Sequence, residues 1–106
     1  MLTVGDLVAR AAPADAETRA ALDAYTAGDR SAALAERLRG SFQALTQATC
    51  DRELTRGELV TGWALHAALG DISGDRRRLA STLRWAEADL EEKTPTWDPA
   101  VACAGR

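Results

Sequence analysis

Residues 55–70 read TRGELVTGWALHAALG. Thr55 and Glu58 stand at the spacing of a capping box, in which hydroxyl and carboxylate each accept a hydrogen bond from the other's backbone N–H. A helix therefore opens here, and Gly70 reads as its stop. Between the two lie Leu59, Val60, Trp63, Ala64, Leu65, Ala67, Ala68 and Leu69, apolar on nearly every side. A helix with no polar face needs neighbours all round it. This stretch predicts an all-α bundle with one helix at its centre.

On the N-terminal side, Leu34, Leu38, Phe42 and Leu45 recur at spacings of four, four and three, one face of a helix. Gly40-Ser41 marks a kink or a division in it. A preceding helix spans about 14–27, with Leu22 and Tyr25 on its apolar side, Gly28 as stop and Asp29 as cap of the helix that follows. Thr3 with Asp6 opens a first short helix, closed by Pro13. Residues 49–54 read as a turn. On the C-terminal side, Leu79, Leu83, Ala86 and Leu90 form the narrow seam of a last helix, from Gly74-Asp75 to about Lys93. The expected fold is five or six helices in antiparallel hairpins over residues 1–93. The segment TPTWDP after Lys93 cannot continue a helix, so 94–106 is expected as a flexible tail. Two segments look alike: Gly28-Asp29-Arg30 ahead of Leu34-Ala35 and Leu38-Arg39, and Gly74-Asp75-Arg76 ahead of Leu79-Ala80 and Leu83-Arg84. With Tyr25 and Ala33, the first also resembles the turn of a tetratricopeptide hairpin, but no copy follows 34 residues on.

Composition agrees. At 106 residues the chain has room for one core. Its apolar share is mostly Ala and Leu, and aromatics are only 5%, which argues against a sheet. Twelve of thirteen basic residues are Arg, the mark of a GC-rich, bacterial coding sequence. A net charge of −3 without a basic stripe argues against nucleic acid as partner. No apolar run is long enough for a membrane span, and Asp6 and Arg10 interrupt the only leader-like stretch, so a cytoplasmic protein is expected. Cys50 and Cys103 lack metal-type spacing and read as reduced thiols. Residues 71–75 resemble the first half of a calcium loop, but its sixth and twelfth positions would be Arg76 and Thr82, which cannot serve. No metal and no cofactor are expected. Phosphate-cradling loops, nucleophile elbows and paired cysteines are lacking too, which points away from an enzyme.

The last helix carries its charges the wrong way round. Arg76, Arg77 and Arg78 sit at its positive end, and Glu87, Asp89, Glu91 and Glu92 at its negative one. Each opposes the helix dipole by about 0.3–1 kcal/mol. An antiparallel partner would set the arginine end against the acidic end. Arg76, Arg77, Arg78, Arg84, Glu87 and Glu91 are therefore candidate contacts with a second copy or another helical protein. Trp97, between two prolines, is a clasp or a docking anchor. The function expected is a non-catalytic protein-interaction or regulatory module that self-associates as a homodimer. There are two alternatives. His66 with Gly70 four residues on resembles the phosphoacceptor helix of histidine-phosphotransfer domains; Leu69 stands where that family has a basic residue, and the downstream glycine spacing departs from it. Residues 56–84 also fit a helix-turn-helix, with Arg76–Arg78 opening a DNA-recognition helix.

Overall fold

The computed structural model describes residues 1–92 and is all-helical over them. Its centre is α4 (Arg56–Ser73). The capping box closes as the sequence reads: Glu58 N donates to Thr55 Oγ1 at 3.2 Å, and Thr55 N donates to Glu58 Oε1 at 3.0 Å. Val60, Thr61, Trp63, Ala64, Leu65, Ala67 and Ala68 are all buried. The stop expected at Gly70 is not there. The helix continues to Ser73 and ends at Gly74, whose φ of 77° is left-handed. A Cβ on Gly70 would lie 3.6–3.8 Å from Leu79, so its bare face receives the next helix instead.

Around α4 stand α1 (Val4–Arg10), α3 (Ala32–Ala48) and α5 (Arg76–Glu92), each packed on it; α2 (Ala16–Thr26) packs on α3. The short connections make α2–α3 and α4–α5 antiparallel hairpins. Gly40-Ser41 does not divide α3: one helix runs through it. Asp15 caps α2, accepting from Thr18 N at 2.9 Å. The cap of α3 is Ser31, not Asp29. Gly28, with φ of 107°, turns the chain out of α2. Asp29 then accepts from Ser31 N at 2.8 Å, which fixes the turn and hands the cap to the serine.

Leu7, Leu34, Leu38 and Leu65 are the largest fully buried side chains. Burial of such a residue stabilises by about 1.5–3 kcal/mol. The seam of α5 joins this core: Leu79 and Ala86 are buried, and Leu83 and Leu90 pack against them. The apolar strip is thus covered by the chain's own helices. Cys50, expected as a reduced thiol, is disulfide-bonded. Cys103, Trp97, and the expected boundary and tail at 93–106 lie outside the described residues.

Leu65→Ala removes a wholly buried side chain from the central helix. It is expected to destabilise the fold by about 2–5 kcal/mol. Urea unfolding followed by circular dichroism checks this; a loss below 1 kcal/mol, by the same scale, contradicts the central placement of α4.

Candidate functional site

One end of the bundle is organised by Asp71, in the last turn of α4. Tyr25 of α2 donates its hydroxyl to Asp71 Oδ2 at 2.5 Å. Arg30, from the α2–α3 turn, approaches the same oxygen at 3.4 Å, and Arg76 of α5 reaches Oδ1 at 3.2 Å. Arg30 and Arg76 are matching residues of the two similar Gly-Asp-Arg turns, and they meet on one carboxylate. The Arg30 guanidinium also lies over the Tyr25 ring, 3.7 Å from its centroid, and donates to the Tyr25 carbonyl at 2.6 Å. Burial, followed by the hydrogen bond to Asp71, pushes the Tyr25 hydroxyl up to about 12, so it remains a donor at neutral pH. The Tyr25 hydrogen bond, helped by the two arginines, holds the Asp71 carboxyl below its usual 3.8. In the sequence Asp71 stands out only as the first position of a calcium loop that fails, because its actual partners come from three other segments; the repeated Gly-Asp-Arg was the available signal.

The predicted contact residues of α5 do not share one face. Arg76 is held by Asp71. Arg78 lines a cavity between α5 and α3. Glu87 and Glu91 line a depression shared with Asp6 and Arg10 of α1. Arg77 and Arg84 are exposed, with no ion pair among the described residues. Trp85, beside Arg84, is 58% exposed; apart from Met1 it is the only large apolar side chain so exposed among the described residues.

His66 is half-buried on α4. Its ring stacks on Phe42 with centroids 5.4 Å apart, and meets Trp63 edge-on at 6.2 Å. Burial, and then the charge of Arg78, lowers its pKa from the ordinary 6.5, so the imidazole is neutral at pH 7. A Cβ on Gly70 would meet Leu79, and the glycine borders, together with His66, one small cavity. Below this cluster, Trp63 Nε1 donates to Asp89 Oδ2 at 2.7 Å. Asp89 Oδ1 is buried with no hydrogen-bond partner among the described residues. At the start of α4, Arg52 grips Glu58 through both terminal guanidinium nitrogens, at 2.8 and 2.7 Å. This pair, with the Thr55 backbone, draws the Glu58 carboxyl down to about 2. Among the described residues no three of His, Cys, Asp and Glu form a metal-holding group, and no helix is long and apolar enough to cross a membrane.

Asp71→Ala strands the Tyr25 hydroxyl and is expected to cost about 1–3 kcal/mol, with Asp71→Asn milder because its amide oxygen still accepts. A carboxylate whose folded pKa is depressed contributes stability above the unfolded value of 3.8 that disappears as pH falls through the lower folded value. The gap between wild type and Asp71→Asn should therefore close on acidification; urea titrations at neutral and strongly acid pH decide it, and a constant gap refutes it. Trp63→Phe leaves both oxygens of Asp89 without donors, at a cost of about 1–3 kcal/mol. In a double-mutant cycle, Trp63→Phe with Asp89→Ala should lose less than the sum of the singles, and strict additivity contradicts the pairing. No family model, curated protein or solved structure matches the chain.

Proposed function

We propose that this chain is a non-catalytic interaction module that self-associates through the outward side of α5. The observation that carries this reading is Trp85, 58% exposed on a helix whose neighbouring charges complement their own reversed copy. Arg77, Arg84 and Glu91 follow one another at intervals of seven and lie in one row, since seven residues make about two turns, with Glu91 at the edge of the depression beside α1. Residues 77 and 91 are equidistant from 84. In an antiparallel pair crossing at 84–85, Arg77 of each copy faces Glu91 of the other. Ser81 and Ala88, adjacent to this row, are small enough for close approach. Trp85 then leaves water against the second copy, and Arg84 comes within reach of that copy's indole face, a cation–π arrangement. Desolvating the indole supplies the main stabilisation; exposed ion pairs add about 0–1 kcal/mol each and chiefly set direction. Neither alternative gains an observation of its own. The glycine after His66 serves helix packing, and of the three arginines suited to a DNA backbone, one is held by Asp71 and another lines the α3–α5 cavity.

Sedimentation equilibrium over a concentration series tests the proposal. A dimer is expected, weaker in high salt. Trp85→Ala should raise the dissociation constant about tenfold or more. Arg77→Glu should weaken the dimer, and the double change Arg77→Glu with Glu91→Arg should restore it, because each reversed pair meets its complement. A chain that is monomeric at every concentration and salt overturns the reading.

A further inference from the structure

α3 and α5 each pack mainly on α4. Between them lies a cavity of about 210 Å³. Its polar lining is Arg39 from α3, His66 and Ser73 from α4, and Arg78 from α5, with no carboxylate among the lining residues. Arg78 has no ion pair among the described residues. Arg39 pairs with Glu36 on the exposed surface through Nη1 alone, which leaves the rest of its fork available. The Ser73 hydroxyl is already committed, donating to the Gly70 carbonyl at 2.8 Å. Arg78, His66 and the unpaired part of the Arg39 fork therefore line one small space whose lining holds no carboxylate.

We propose that this cavity binds a small tetrahedral oxyanion of the phosphate class, clamped between Arg39 and Arg78 with His66 as the third donor. Two guanidinium forks from different helices match the oxygens of such an anion, and charge-assisted bonds of this kind are the strong ones. The volume holds the anion and a few waters at about 30 Å³ each. His66, kept neutral by burial and by Arg78, still offers one N–H. The bound anion links α3 to α5, so binding stabilises the fold. This site lies on the flank of α5, apart from the outward row proposed for self-association, and does not depend on it.

Titrating the whole chain with inorganic phosphate, against sodium chloride at equal ionic strength, tests the proposal. The readouts are the His66 ring resonances by NMR and the thermal midpoint. A saturable His66 shift and a rising midpoint are expected with phosphate and not with chloride. Arg39→Ala and Arg78→Ala, both at exposed positions, should each weaken binding about tenfold or more while leaving the helical circular dichroism intact. O-phosphoserine as a parallel probe separates the sources of the anion. Equal affinity indicates free phosphate, and tighter binding indicates a phosphate carried on a larger molecule. An equal response to chloride, no saturable change, or undiminished binding by both arginine variants overturns the proposal.

Discussion

The structure depends on one constraint: α4 has no polar face, so it must be covered on all sides. Three helices pack directly on it and a fourth supports one of the three. Most of the polar groups α4 carries lie wholly or partly under this cover and have a specific partner. Thr61 Oγ1 accepts from Ala12 N at 3.0 Å and donates to the Gly57 carbonyl at 2.8 Å. Glu58 is matched by Arg52, the Trp63 indole by Asp89, and Asp71 by Tyr25. A buried polar group left unmatched costs about 1–3 kcal/mol, so these pairs fix which helix lies where more sharply than apolar packing does. Asp89 Oδ1 is the exception, a buried acceptor beside an otherwise tightly matched helix.

Asp71 does at the end of the bundle what α4 does at its centre. Its carboxylate draws together the end of α2, the turn into α3, the end of α4 and the start of α5. The ion pairs with Arg30 and Arg76 are exposed and individually weak, about 0–1 kcal/mol. The half-buried Tyr25 contact is worth more, because burial removes the competing water. Through Arg76, this corner also sets where α5 begins. The three consecutive arginines are consequently sent to three different places: one to Asp71, one outward, one to the cavity beside His66.

What was legible in the sequence divides by range. The capping boxes at Thr3 and Thr55 formed as written, because each is settled within four residues. The all-round apolarity of residues 59–69 was equally decisive. Glycine was not: Gly70 and Gly74 look alike in a chain, and only the approach of Leu79 shows that the first serves packing and the second the turn. Asp29 lost the cap of α3 to Ser31 because the left-handed Gly28 needs two more residues to redirect the chain. The candidate site was legible as a charge anomaly but not as a geometry. Spacing placed six charges on one helix; which of them face α1, α3 or water depends on how α5 rolls on α4, and no local pattern encodes that roll. The exposure of Trp85 depends on the same roll.

The anomaly that first marked α5 is also partly met from within the chain. At the N-terminus of α5, Asp75 accepts from Arg78 N at 3.0 Å and places a carboxylate where the dipole favours one. At the other end, Arg56 of α4 donates to the Leu90 carbonyl at 2.7 Å and brings a cation to the negative terminus. Residues next to α5 in sequence and in space thus supply both charges that its own sequence places the wrong way round. An unmet helix dipole is therefore a weak reason to expect a partner. The exposed Trp85 is a stronger one, since more than half of its surface lies open to water and no backbone requirement accounts for its place. With both ends of α5 tied down and its inner face buried, that indole is carried on a fixed support. A second copy would bind it without first ordering the helix, which lowers the entropic cost of association.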